Sequence, residues 1–126
     1  MSDQHVTTVI DVFAAINERR WDDVVAAYGD DAVIEYPQSG ERITGRQDIR
    51  AMMAAFPVPP TFVVRNAFAG DDDSVIVEFD AVYSGVEPWK GVALYWLSEA
   101  GINREVAYFG EPFAPPEWRL TLGVQL

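Results

Sequence analysis

The sequence predicts an α+β domain in which a cone-shaped, curved antiparallel sheet of four long strands and a short hairpin wraps around three N-terminal helices. Three observations predict it. Apolar residues recur at three- and four-residue steps in the first 56 positions, the period of helices with one buried face. Four later runs carry strand patterning, and short turns join them, which favours antiparallel pairing. Helices gathered before an antiparallel sheet define the α+β class. At 126 residues the chain has the length of one domain with one sizeable core.

The elements follow in order. Val6, Val9, Ile10, Phe13 and Ile16 form one apolar stripe over residues 3–19, and Ser2 or Asp3 can cap its start. A second helix covers 21–28 with Val24, Val25 and Tyr28 on its buried side, and Gly29-Asp30-Asp31 ends it. Ala32 to Tyr36 is a short strand stopped by Pro37, and residues 41–44 return after the turn Gln38-Ser39-Gly40. A third helix, 46–56, places Ile49, Met52, Met53 and Phe56 on one face and stops at Pro57, Pro59 and Pro60. Strands follow at 61–69, 74–84, 89–98 and 102–109. The Pro-rich tail, 112–126, carries Phe113 and Trp118 and is expected to pack on the domain.

Composition narrows the function. Nine basic residues against twenty acidic ones give a net charge of −11, which leaves no basic footprint for nucleic acid and disfavours an anionic membrane surface. Four Trp, five Tyr and seven Phe supply a core and argue against disorder. With no cysteine, disulfides, thiolate nucleophiles, zinc–thiolate sites and iron–sulfur clusters are excluded. Met1-Ser2-Asp3-Gln4-His5 lacks a basic leader, and no apolar run approaches the roughly 20 residues of a membrane span. A cytoplasmic protein without cofactor is the expectation. His5, the only histidine, reads as an exposed terminal residue with no partners spaced for a metal.

The element order resembles the nuclear transport factor 2-like superfamily, and the sequence resembles its SnoaL-like branch. The resemblance rests on Phe13-Ala14-Ala15-Ile16-Asn17 through Trp21-Asp22, Tyr28-Gly29-Asp30-Asp31-Ala32-Val33-Ile34, Tyr36 to Ile43 with Gly45-Arg46, Tyr108 to Phe113, and Pro116-Glu117-Trp118-Arg119. It covers nearly the whole chain and marks fold rather than activity, because the superfamily holds isomerases, cyclases, dehydratases, epoxide hydrolases and non-catalytic members. Ketosteroid isomerases run in step with this chain from Val12 to about Met53. Their Asp base and their Tyr and protonated Asp oxyanion hole fall here on Tyr36, Val12 and the acid-free strand Val92-Ala93-Leu94-Tyr95. That mechanism is therefore not expected. Neither the Asp–Arg–Asp set of epoxide hydrolases nor the His of dehydratases is found in the expected cavity.

Alternation assigns the cavity walls. Val75, Val77, Phe79, Ala81 and Tyr83 face inward, with Ile76, Glu78, Asp80 and Val82 on the other face. Phe62, Val64 and Phe68 share a face with Asn66. The resemblance puts Ala107 and Phe109 inside, and Glu105 goes with them. Ile16, Tyr28, Met52, Met53 and Phe56 come from the helices. The expected cavity is thus apolar and aromatic, with Tyr28, Tyr36, Asn66, Tyr83 and Glu105 as polar groups. That suits a small hydrophobic molecule of polyketide, terpenoid or steroid type.

Glu105 is the candidate catalytic residue: desolvation raises a carboxyl toward neutral pH, where it serves as a proton-transfer base or acid. The other reading leaves it at the cavity mouth or pairs it with Arg104 or Arg65. Tyr36 and Asn66 are candidate donors to a developing oxyanion. The alternatives are a half-buried structural Tyr and an Asn serving its own backbone. Arg42 and Glu41 read as a surface ion pair or a lid contact, and Trp118-Arg119 as a plug closing one end. The outer face with Ile76, Val82, Val106 and Tyr108 is too apolar to leave bare, and the resemblance implies a homodimer through it. Two functions remain open: an isomerase or cyclase acting by proton transfer, and a non-catalytic ligand-binding or dimerisation module.

Overall fold

The structure, a computed structural model, describes residues 2–126. Helices α1 (Ser2–Asn17), α2 (Trp21–Ala26) and α3 (Arg46–Ala55) lie against a six-stranded curved sheet. Its strands are β1 (Tyr28–Tyr36), β2 (Glu41–Thr44), β3 (Thr61–Ala69), β4 (Ser74–Val82), β5 (Trp89–Ser98) and β6 (Gly101–Gly110). The order across the sheet is β2-β1-β6-β5-β4-β3, open at both edges. The predicted α+β class holds, as do the three N-terminal helices and the four long strands.

Three expectations about the elements are corrected. The first concerns Tyr28 and Gly29-Asp30-Asp31, which lie inside β1 rather than at the end of a helix. β1 runs parallel to β6, so a strand 70 residues away supplies the partner that a local reading lacks. Asp30 and Asp31 sit at a register irregularity between Tyr28 and Val33 and point to solvent. Secondly, this one parallel pair makes the sheet mixed. Thirdly, the tail does not pack: after a short 3₁₀ turn at Glu117–Arg119, Phe113 and Trp118 remain 81% and 75% exposed. Arg119 lies over the Trp118 ring at 5.6 Å, so this pair closes nothing.

The core forms where helix stripes meet the concave sheet face. Val9, Val12 and Phe13 of α1 meet Val75, Val77 and Phe79 of β4, all buried. Phe13 packs edge-on to Phe62 and Tyr95 at centroid separations of 5.6 and 6.3 Å. The end of α1 is tied to β3 by one amide: Asn17 Nδ2 donates to the Phe62 carbonyl at 2.9 Å, and the Phe62 N–H donates to Asn17 Oδ1 at 2.8 Å. Asn17→Ala leaves both Phe62 groups unpaired, and we expect it to cost about 2 kcal/mol. Chemical denaturation with an unchanged m-value measures this. No loss would show that solvent replaces both bonds.

On the convex face the charges are paired. Asp80, 3% exposed, accepts from Arg65 at 2.6 Å and from Lys90 at 3.1 Å. Both cations hold its carboxyl below the usual range, Arg65 contributing most. Glu35 accepts from Arg42 and Arg104 and is lowered in the same way. Arg42 therefore pairs with Glu35 and not with Glu41, which accepts from Ser39 instead. His5 is half-buried beside Asp73, at 3.5 Å, rather than exposed. Among the described residues, no helix is long and apolar enough to cross a membrane.

Candidate functional site

The concave face is hollowed by small side chains. Ala93 stands opposite Ala107, and Gly91 opposite Phe109, across the β5–β6 ladder. A Cβ at Gly91 would strike the rings of Phe79 and Phe109, so this close approach of rings to backbone requires glycine. Above the small residues stand Glu105 and Tyr95, directly paired in register, and Ile34, paired with Glu105 from β1. Ile34 is fully buried. Tyr36, two residues further along β1, projects to the same side.

The resulting pocket holds Glu105, Tyr95 and Tyr36 among Phe13, Ile16, Trp21, Met52, Met53 and Phe56, with Phe79 and Phe109 beside them. Its free volume is about 60 Å³. Phe56 and Phe109 also line an open apolar trough of about 670 Å³ that runs past Tyr83, Trp89 and Val86. The two spaces thus meet at a pair of aromatic rings.

Glu105 is 7% exposed, and its one hydrogen bond comes from the Tyr28 hydroxyl, which donates to Oε1 from a fully buried ring. Neither arginine proposed as its partner reaches it: Arg104 is bound to Glu35 and Arg65 to Asp80. Burial raises the carboxyl from its ordinary 4.5 to about 7, and the Tyr28 bond opposes that rise only in part. Burial, reinforced by the Glu105 charge, holds the Tyr28, Tyr95 and Tyr36 hydroxyls well above the usual tyrosine range, so all three are neutral donors. Tyr36 donates weakly to Met52 Sδ at 3.8 Å, and Tyr95 lines the same pocket. The arrangement is one proton acceptor, held from behind by Tyr28, with two phenols beside it in an apolar enclosure.

The raised carboxyl has a stability consequence. Between pH 4.5 and 7 the folded state binds the Glu105 proton and the unfolded state releases it. Stability from this group is complete below 4.5 and is lost as pH rises through 7, about 3 kcal/mol in total. The lowered Asp80 and Glu35 act with the opposite sign, below their ordinary values. We therefore expect Glu105→Gln to gain stability relative to wild type as pH rises from 5 to 8 in parallel thermal melts. A constant difference across that range would refute the raised carboxyl.

Of the sequence-predicted site residues, the structure brings together Glu105, Tyr36, Ile16, Met52, Met53, Phe56, Phe79 and Phe109. Tyr28 stands behind Glu105 and does not line the pocket. Tyr83 belongs to the trough, its ring 5.2 Å from that of Trp89 and tilted by 57°. Asn66 is outside: it is exposed and donates to Glu78 at 2.6 Å. A β-bulge at Arg65 causes this, since Val64 pairs with Phe79 and Asn66 with Glu78, so the inward order is Phe62, Val64 and then Ala67. Phe68, 54% exposed, turns outward with the same slip. Sequence reasoning missed Tyr95 and Trp21. Tyr95 shares the alternating face of Ala93, and that pattern was the available signal.

Comparison with known proteins adds the family context. The sequence profile of the SnoaL-like domain matches residues 9–106. An NTF2-like protein of unknown function from Burkholderia xenovorans LB400 matches with a TM-score of 0.83 at 30% identity, over 100% of this chain and 98% of that one. A protein from Kribbella flavida DSM 17836, assigned provisionally as a ketosteroid isomerase, matches with a TM-score of 0.89 at 26% identity, over 99% and 91%. Both alignments extend through the tail. A Mycobacterium tuberculosis LEH-like epoxide hydrolase shares the fold, with a TM-score of 0.71 at 18% identity over 86% and 84%. No curated protein matches the chain.

Proposed function

The chain belongs to the SnoaL-like domain family, and from that premise we propose that it catalyses proton transfer on a small, neutral, hydrophobic carbonyl compound. The observation that carries this reading is the Glu105 carboxyl, enclosed in an apolar pocket without a cation and raised to about 7. A base or acid works best when its pKa lies near the working pH. In the proposed step the Glu105 carboxylate removes a proton from the carbon next to the carbonyl. The electron pair moves onto the carbonyl oxygen, and Tyr95, with Tyr36, donates hydrogen bonds to it. Glu105 then returns the proton to the same or a conjugated carbon, so no other reactant is needed. The name of one similar structure, a provisional ketosteroid isomerase, fits an apolar carbonyl substrate.

The substrate's reactive end enters the pocket, and its apolar body lies in the trough beyond Phe56 and Phe109. Met52 and Met53 form the yielding wall, because an unbranched thioether side chain changes rotamer readily. Glu87 and Glu111 on the trough disfavour anionic bodies.

One observation favours the second reading, a non-catalytic module. The free volume of about 60 Å³ is far below the roughly 300 Å³ of typical ligand pockets. Deuterium exchange at the α-carbon of neutral hydrophobic ketones, followed by NMR in heavy water, separates the two. Catalysis predicts exchange whose kcat/KM rises with pH to a plateau above an apparent pKa of about 7. Exchange no faster than with heat-denatured protein, across bicyclic, steroid-like and linear ketones, favours the module.

A further inference from the structure

The pocket around Glu105 is closed as it stands. Its free volume is about 60 Å³, whereas the trough beside it offers about 670 Å³. An organic molecule reaches the carboxyl only if a wall between the two spaces moves. The connection from α3 to β3 is part of that wall. Phe56 lines both spaces, Pro57 and Val58 line only the trough, and Pro59 and Pro60 line only the pocket.

This connection is held at one end. Burial rises along it, from exposed Phe56, Pro57 and Val58 through half-buried Pro59 to buried Pro60. Three of its five residues are prolines and have no N–H to donate. Among the described residues, the hydrogen bonds that tie it to other elements come from Arg19 alone. Nη1 donates to the Pro60 carbonyl at 3.1 Å and Nη2 to the Pro59 carbonyl at 3.0 Å. Nη1 also donates to the Ile16 carbonyl at 3.0 Å, so the same guanidinium spans the end of α1. The Arg19 backbone is unusual as well. Its φ is +60°, the left-handed conformation that favours glycine just past a helix end. What an arginine adds there is its planar fork of donors, and these bonds use it on carbonyls.

We propose that Phe56 is the door and Arg19 the post of a gate: residues 56–58 swing about the fixed Pro59–Pro60 pair, and the pocket then opens into the trough. Arg19 lines neither space and acts through the two prolines, so it is a positioning residue. Phe56 decides what enters, because its ring stands where the two spaces meet. The closed state keeps water from the Glu105 carboxyl, and the open state admits an apolar molecule. The gate takes the pocket to be the site of the proposed reaction, and it reconciles a nearly filled pocket with a substrate larger than its free volume.

The test needs no turnover, so its result stands apart from that of the proposed reaction. The chain has no cysteine, and Ala107→Cys puts a single thiol on the pocket wall. Dithiodipyridine, a neutral aromatic disulfide, reports how often that thiol is reached, by the absorbance of the thiopyridone it releases. A second single-thiol chain, Val9→Cys, reports opening of the buried core outside the pocket. Adding Phe56→Ala should speed labelling of the Ala107→Cys thiol by about tenfold or more. Adding Arg19→Gly should speed it as well. It should leave the Val9→Cys thiol within about twofold of its parent, because glycine suits the left-handed backbone. Should Ala107→Cys fail to fold, Ala93→Cys stands opposite it across the ladder, lines the same pocket and carries the same test. Three results overturn the gate: a pocket thiol labelled as fast in the native chain as in urea, a rate unmoved by Phe56→Ala, or an Arg19→Gly effect that is absent or equal at both thiols.

Discussion

Glu105→Gln is expected to lower α-carbon exchange of a turned-over ketone by at least a hundredfold in kcat/KM, the lower range for losing a positioned proton acceptor. The substitution keeps the shape, and the amide oxygen still accepts from the Tyr28 hydroxyl that now binds Oε1. What is lost is the lone pair that takes the proton. The residual rate should also lose its dependence on pH near 7, because the group that titrates there has gone. Both readouts matter. A rate within threefold of wild type would remove Glu105 from the reaction, and a low rate with the pH dependence intact would move the base elsewhere. Binding should survive, since the apolar walls are untouched, so KM changes less than kcat.

The largest structural effect is expected at the other end of the same strand. Gly101 opens β6 with φ at +106°, a conformation that L side chains rarely adopt. A Cβ there would meet the carbonyl oxygen of Ala27, and that atom is backbone, so no side chain can swing aside. The same carbonyl accepts from the Ile102 N–H at 2.8 Å, which starts the parallel contact between β1 and β6. Gly101→Ala therefore both strains the backbone and pushes β6 from β1. A loss of about 3 kcal/mol follows, or roughly 10 °C in Tm for a domain of this size. Differential scanning calorimetry measures it. A drop of less than about 3 °C would show that the junction yields without separating the strands.

Much of the fold was legible because its periods are local. The bounds of β3 and β5 coincide with the runs at 61–69 and 89–98, set by turn residues on either side. α3 stops where its prolines demand. Alternation from Ala107 and Phe109, which the family resemblance puts inside, places Glu105 inward with them, whereas alternation counted from the start of β6 fails there. Ile102 is buried, and strict alternation from it would turn Arg104 inward and Glu105 out. A bulge at Asn103 breaks the count, since Leu97 pairs with Ile102 but Trp96 pairs with Arg104. The bulge at Arg65 does the same to Asn66 in the opposite sense. One extra residue in a strand exchanges its faces, and nothing in the local composition announces it.

The sequence by itself determined the α+β class, the succession of helices and long strands, the lack of cysteine and the excess of acidic over basic residues. These depend on residue type and short-range period, which each segment carries alone. Only the tertiary structure decided that β1 begins at Tyr28, that Tyr28 donates to Glu105, that Tyr95 stands beside that carboxylate and that the pocket is nearly filled. Each of these joins residues from different strands or layers through a register, a bulge or the closeness of packing. The segment 113–126 belongs with them. Its apolar residues predict burial, and the structure leaves them exposed.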